Sequence, residues 1–451
     1  MKKRIIAAIL TMLMLTASLA ACSSSNDTED ETKGAQSEST QAVTLNPDTT
    51  TAESVSGSSE QADTSATKTD AKSDSDSDAA YTGGYSGGKL DTTDMFSKRD
   101  MKQEADASDA KTLTVSDGKD VTISEEGVYI ISGTAKNASI IVDAADEAKV
   151  QLVLSGVSIT NDSSPAIYVK NADKVFVTTQ SGSTNTLTVS GTFTADGDTN
   201  TDAVIFSKDD LVFNGKGTLT ISSTDNGISG KDDIKITGGT INITSTSDGI
   251  EANDSIVMAD GNVTITSQKD GLHAENDEDN STGYIYIGGG SVNVTASSDG
   301  IQATTVLQID GGTVTTNSSE GLEATYVQIN GGTINITASD DGINGSSKST
   351  AYSVTVEFNG GTINIDMGQG DTDAIDVNGD LYINGGTFNI NANSPFDYDG
   401  NCEYNGGTIY VNGELTTEIT NQTFGPGGGG HGGGPGGDMG GDMGGVPNGM
   451  N

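Results

Sequence analysis

Residues 241–254 read INITSTSDGIEAND: an alternating strand, an Asp-Gly pair, and the start of a second strand. A single Asp-Gly pair is ordinary turn chemistry. Here it returns as STDNGISG, SQKDGLHAE, ASSDGIQAT, NSSEGLEAT, ASDDGING and GDTDAIDVN. Gly227, Gly249 and Gly271 lie 22 residues apart, and Gly300, Gly321 and Gly342 lie 21 apart. A second signal keeps the same beat, as ITGGTINIT, IDGGTVTTN, INGGTINIT, INGGTFNIN and YNGGTIYVN. Short alternating strands at such a period define a solenoid. The density of Gly, Thr, Asn and β-branched residues excludes helix, and the Leu scaffold of leucine-rich repeats is missing.

The expected fold is all-β: a right-handed single-stranded parallel β-helix over residues 108–415, with ~21–22 residues and three short strands per coil. In the coil at 299–316, Ile301, Ala303, Leu307, Ile309 and Val314 should point inward, and Gln302, Gln308 and Thr315 outward. Residues 108–200 alternate less regularly and should form the first coils or their cap.

The flanks read differently. Residues 1–21, MKKRIIAAILTMLMLTASLAA, form a basic start, an apolar run and a small-residue end, the pattern of a secretory signal. The closing LAAC resembles a bacterial lipobox, which places a lipid on Cys22 and the protein on the outer face of a cell membrane. Residues 22–107 are rich in Ser, Thr and Asp, and residues 416–451 in Gly. Both are expected to be disordered, because they carry too little apolar surface to offset ordering entropy.

Removing Lys2, Lys3 and Arg4 with the signal leaves 19 basic against 64 acidic residues, a net of −45. That balance excludes nucleic acid and anionic lipid as electrostatic partners and favours cations. The only membrane contact expected is through the lipid. With Cys22 modified, Cys402 has no disulfide partner and should be an inert packed thiol. A monomer is expected.

Stacking the coils gives two acidic columns. The residue before the Gly is Asn226, Asp248, Asp270, Asp299, Glu320, Asp341 and Asp373; the residue after the Ile or Leu is Ser229, Glu251, His273, Gln302, Glu323, Asn344 and Asp376. Coils stack about 4.8 Å apart, and like charges at that distance repel by roughly 1 kcal/mol in water and 3.5 at an effective dielectric near 20. Almost no Lys or Arg accompanies them. Asn would serve the turn without repulsion, so the carboxylates point to a bound cation, and oxygen-only ligands outside the cell point to calcium. Bare turn chemistry is the competing explanation. Two further acidic loops, HAENDEDNS and SPFDYDGN (Asp397, Asp399), add ligands but lack EF-hand spacing.

Tyr286 and Tyr382, with Gln308 and Gln328, fall on the outward column of the middle strand, together with Lys235 and Glu357. There they could contact a sugar or simply face solvent. The outward Asn242, Asn293, Asn335, Asn364 and Asn389 read as a hydrogen-bonding ladder.

The run GVYIISGTAKNASIIVDAADEAKVQLVLSGVSITNDSSPAIYVK, with the later SDDGING, TDAIDVNGDLYINGGTFNI and FDYDGNCEYNGGTIYVNG, resembles the bacterial carbohydrate-binding domain-containing lipoprotein family. The resemblance implies a pectate-lyase-like β-helix that binds calcium and plant cell-wall polysaccharide, both cellulose-like and pectic, without established catalysis. It places the family's acidic motif on Asp340, Asp341, Asp373, Asp376, Asp397 and Asp399. Ala374 stands where the motif has Gly, which implies altered backbone geometry there.

Two other classes compete with a non-catalytic binder. A pectate-lyase-like enzyme needs a basic residue beside a calcium-neutralised carboxylate. Arg4 and Arg99 lie outside the expected helix, so Lys269, beside Asp270, is the one candidate base; a charge-balancing Lys is the simpler role. A structural surface adhesin or spacer would share every feature above.

Overall fold

The computed structural model describes residues 88–421, apart from 277 and 369–371. The signal segment, Cys22, the tether up to residue 87 and the tail from 422 lie outside the described residues.

All 34 elements among the described residues are strands. One coil comprises Ile250–Ala252, Ser255–Met258 and Asn262–Thr266, and the next Leu272–Ala274, Tyr284–Ile287 and Ser291–Thr295. They pair in parallel, with Ile250 opposite Leu272, Ile256 opposite Ile285, and Val263 opposite Val292. The pattern repeats along the chain, so the fold is a parallel β-helix. It ends where Glu414–Thr416 turns back antiparallel on Thr408–Val411. The turn uses Asn412 and Gly413, both with positive φ, as a two-residue hairpin requires. Residues 111–189 form the first coils, as expected.

Strand alternation fills the interior. Ile228, Ile250, Leu272, Ile301, Leu322, Ile343 and Ile375 stack in register and are buried. Each such side chain contributes roughly 1.5–3 kcal/mol on burial. Ala303, Leu307, Ile309 and Val314 are fully buried too, as their alternation requires.

The repeated glycine has another cause than a turn. Gly249 and Gly321 are not among the positive-φ residues. A Cβ on Gly249 would lie 2.6 Å from the Gly271 carbonyl oxygen one coil away, and one on Gly321 would collide with that of Gly342 in the same way. Close backbone approach therefore selects Gly. The left-handed glycine is the second of each Gly-Gly corner, for example Gly312 (φ 80) and Gly332 (φ 85). Ala374 does not disturb the ladder, contrary to expectation. Ile343 N–H donates to its carbonyl (3.0 Å), and its own N–H donates to Ser394 O (2.9 Å).

The domain boundary also needs correction. Residues 88–107, placed in the tether on composition, pack along the outward face of the middle strands. Met95 and Phe96 are buried against Val257 and Tyr286. Gln103 accepts from Gly215 N–H and donates to Thr237 O, and Lys235 Nζ donates to Met95 O. A few well-placed apolar and hydrogen-bonding residues suffice to dock this strap on an existing surface, although its composition could not build a core alone. Arg99 is thereby drawn onto the helix, its guanidinium 4.6 Å from the Phe176 ring centre.

Candidate functional site

Both acidic columns form as the repeat implies. Ser229, Glu251, His273, Gln302, Glu323, Asn344, Asp376 and Asp397 lie in one continuous register. Their carboxylates are not solvated: Asp248, Asp270, Asp299 and Glu323 are all at least nine-tenths buried. Neighbouring coils and column members shield them. They divide into three groups.

The first group supplies its own cations. Lys269 Nζ lies 3.0 Å from Asp248 Oδ2 and 3.8 Å from Asp270 Oδ2. His273 places Nδ1 3.3 Å from Asp248 and 3.7 Å from Asp270, and Nε2 3.3 Å from Glu275. Burial disfavours the imidazolium, but Asp248 and Asp270 prevail and raise its pKa. Burial would likewise raise that of Asp248, yet hydrogen bonds from His273, the Asp270 backbone and Lys269 hold it below the usual range. Glu251 accepts from Asn226 Nδ2 and Ser229 Oγ. Sequence reasoning put His273 in the column but missed its part in neutralising it.

The second group is short of positive charge. Asp299, Glu320 and Glu323 each place a carboxylate oxygen within 4.8 Å of the others. Lys348 reaches Glu323 at 2.7 Å. Its hydrogen bond, with those of Gln302 and Ser346, outweighs burial and lowers the Glu323 pKa. Asp299 receives only a long hydrogen bond from Ser298 Oγ (3.5 Å), and burial first, then Asp270, Glu320 and Glu323, push its carboxyl up to about 8. Burial and Glu323 push Glu320 to about 6. Asn344 donates to Glu320 Oε2 (3.0 Å), and its own Oδ1 is buried without a hydrogen-bond partner. A close set of oxygen donors with an orphaned amide oxygen fits a hard cation such as calcium.

The third group follows at the C-terminal coils. Burial and Asp376 push Asp341 to about 7, and burial and Asp373 push Asp376 to about 6. Asp376 is in register with Asp397. Asp340 and Asp399 are exposed. Among the described residues these six do not form a three-ligand set like the second group.

The middle-strand face departs most from expectation. Tyr286, Gln308 and Gln328 point away from the core but are 3%, 0% and 4% exposed, because the strap covers them. Leu90 N–H donates to Gln308 Oε1 (2.8 Å) and Lys89 N–H to Gln328 Oε1 (2.7 Å). None of the three is open to a sugar. Tyr382 lies beyond the strap, half-buried, its hydroxyl 3.3 Å from Asp380. The Asn ladder forms in part: Asn364 donates to Asn335 and Asn389 to Asn364, both at 2.8 Å, whereas Asn293 bonds Ser291 of its own coil.

A parallel β-helix carrying a buried, partly unneutralised acid column thus defines the class. The model of the carbohydrate-binding domain-containing protein family matches residues 117–374 and 324–423, and the chain belongs to that family. A carbohydrate-binding domain-containing protein of Acetivibrio thermocellus is 38% identical over 138 residues, 30% of this chain and 48% of the relative. The chain thus spans about half of that relative's length. A solved polysaccharide lyase-like protein from C. thermocellum, a gadolinium derivative, is 31% identical and covers 50% of this chain and 96% of its own, with a TM-score of 0.45. At that score the likeness carries no argument about the site.

Proposed function

We propose that the protein is a non-catalytic binder of plant cell-wall polysaccharide, taking pectic chains through calcium and cellulose-like chains as well, held on the outer cell surface through a lipid on Cys22. The family supports the carbohydrate. The cation rests on one observation: Asp299, Glu320 and Glu323 share a site with one lysine and with the unpartnered Asn344 Oδ1. When bound, calcium would neutralise these carboxylates and offer open coordination positions to a uronate. The chain's own residues arrange the donors: strand register sets their spacing, and Lys348 holds Glu323 ionised.

The lyase alternative would need Lys269 as its base. Burial alone would lower the Lys269 pKa, but the Asp248 hydrogen bond and charge raise it, which supports a charge-balancing role for this lysine. Binding of polygalacturonate and of cellulose by the full chain, in calcium and in chelator, tests the proposal. Pectate binding that is lost in chelator supports it; binding that persists there removes calcium from it.

A further inference from the structure

We propose that the outer face of the last strand in each C-terminal coil is a second, calcium-independent site, which takes an extended, neutral, β-linked polysaccharide. The inference rests on the reading that the chain binds carbohydrate, and it assigns the neutral polymer to a surface away from the acid columns.

Three strands build the face: Thr362–Met367, Thr387–Asn391 and Thr408–Val411, continued from Thr333–Ala338. In register along it stand Asn335, Asn364, Asn389 and then Tyr410. Beside them run Thr337, Asp366 and Asn391, also in register. Recesses of about 350 and 260 Å³ lie over these columns, and Asn389 and Asn391 line both.

Each inner amide uses one N–H and accepts one, so Asn364 keeps a second N–H and spare acceptor capacity. Such amides serve hydroxyls, which both donate and accept. Tyr410 is 38% exposed, next to its cross-strand partner Leu415 at 61%; these are the exposed large hydrophobics among the described residues. An aromatic face with a polar tip suits the apolar face of a sugar ring. Coils about 4.8 Å apart present one amide per step, close to the length of one extended β-linked pyranose.

Charge selects a neutral ligand. The Asn, Tyr and flanking Thr positions carry no charge, and Asp366, hydrogen-bonded by Asn391 at 2.9 Å, repels a uronate while accepting from a hydroxyl. The other outward faces are committed: the strap covers much of the middle face, and carboxylates fill the first.

The test measures binding of a soluble cello-oligosaccharide, and separately of polygalacturonate with calcium, by the full chain and by Tyr410→Ala, Tyr410→Phe and Asn364→Ala. Thermal melts confirm folding. Tyr410→Ala should weaken cello-oligosaccharide binding by about tenfold, Tyr410→Phe should retain it, and Asn364→Ala should show a smaller loss. Chelator should not affect it, and pectate binding should be unchanged. If the wild type binds pectate but no cello-oligosaccharide, or if Tyr410→Ala binds it undiminished, this site is overturned and the calcium-dependent pectic binding of the proposed function stands. Binding of neither polymer by the wild type overturns both.

Discussion

The backbone N–H of Asp270 donates to Asp248 Oδ1, 22 residues earlier and one coil away, at 2.9 Å. Asn226 Oδ1 receives the N–H of Asp248 in the same way, and Asp270 Oδ1 that of Asp299. In these coils, and more loosely at Asp341, which receives the Asp373 N–H at 3.4 Å, the pre-Gly side chain is therefore an acceptor that ties one coil to the next. Asn can fill that post, as Asn226 does; what Asp adds is charge.

Separating the two roles gives a first prediction. Asp248→Ala leaves the Asp270 N–H buried without a partner and should cost about 1–3 kcal/mol. Asp248→Asn keeps the acceptor and should cost less, since Lys269, half exposed, returns to water. Urea unfolding of the two variants decides it; equal losses would mean that the ion pair, not the ladder, carries the stability.

The raised carboxyl pKa values set a pH dependence. A group whose pKa is higher folded than unfolded makes the native state bind more protons, so stability falls as pH rises between the two values. Asp299 (about 8), Asp341 (about 7), Glu320 and Asp376 (about 6) all act in this direction. His273, also raised, contributes stability that is lost as pH passes its folded pKa. In chelator, the melting temperature should decline from pH 5 to 8, and excess calcium should oppose the decline increasingly toward pH 8. A chelated protein that grows steadily more stable over that range contradicts the assignment.

The strap gives a third prediction. Phe96 is 6% exposed and packs near Tyr286, with ring centres 6.5 Å apart. Phe96→Ala should release the strap while the coils stay folded, because the strap's contacts lie outside the core columns. Limited proteolysis should then cut between residues 88 and 107 faster than in the wild type. Unchanged protection would show that its polar bonds suffice alone.

How much was legible follows from which forces are periodic. The coil length, the inward column from Ile228 to Ile375 and the acid columns all repeat in sequence, and each stands in the structure. The burial of Asp248 and Asp299 was not legible, because alternation tells outward from inward but not what lies over the outward side. The strap escaped for the same reason: Met95 and Phe96 are two apolar residues in a polar stretch, and their partners lie more than 150 residues away in sequence. Lys269 was visible beside Asp270, but its stronger bond, to Asp248, crosses between coils.

The last prediction concerns how an acidic protein holds an acidic polymer. At a net of −42 for the whole chain, direct contact with a uronate chain is repulsive, so a cation must stand between. Asp248 and Asp270 already have Lys269 and His273, whereas among the described residues no cation lies within ion-pair distance of Asp299 or Glu320. The bridging ion should therefore depend on the second group rather than the first. Asp299→Asn with Glu320→Gln removes two charges, keeps oxygen acceptors of similar size, and leaves the Asp270 acceptor for the residue 299 N–H in place. It should lower calcium affinity and pectate binding together by at least about tenfold, equivalent to 1.4 kcal/mol, and raise metal-free stability near pH 8 by removing buried repulsion. Asp248→Asn should leave pectate binding nearly intact. Calcium titration and pectate binding on the two variants distinguish the groups: loss in Asp248→Asn with retention in the double variant would move the bridge to the first group.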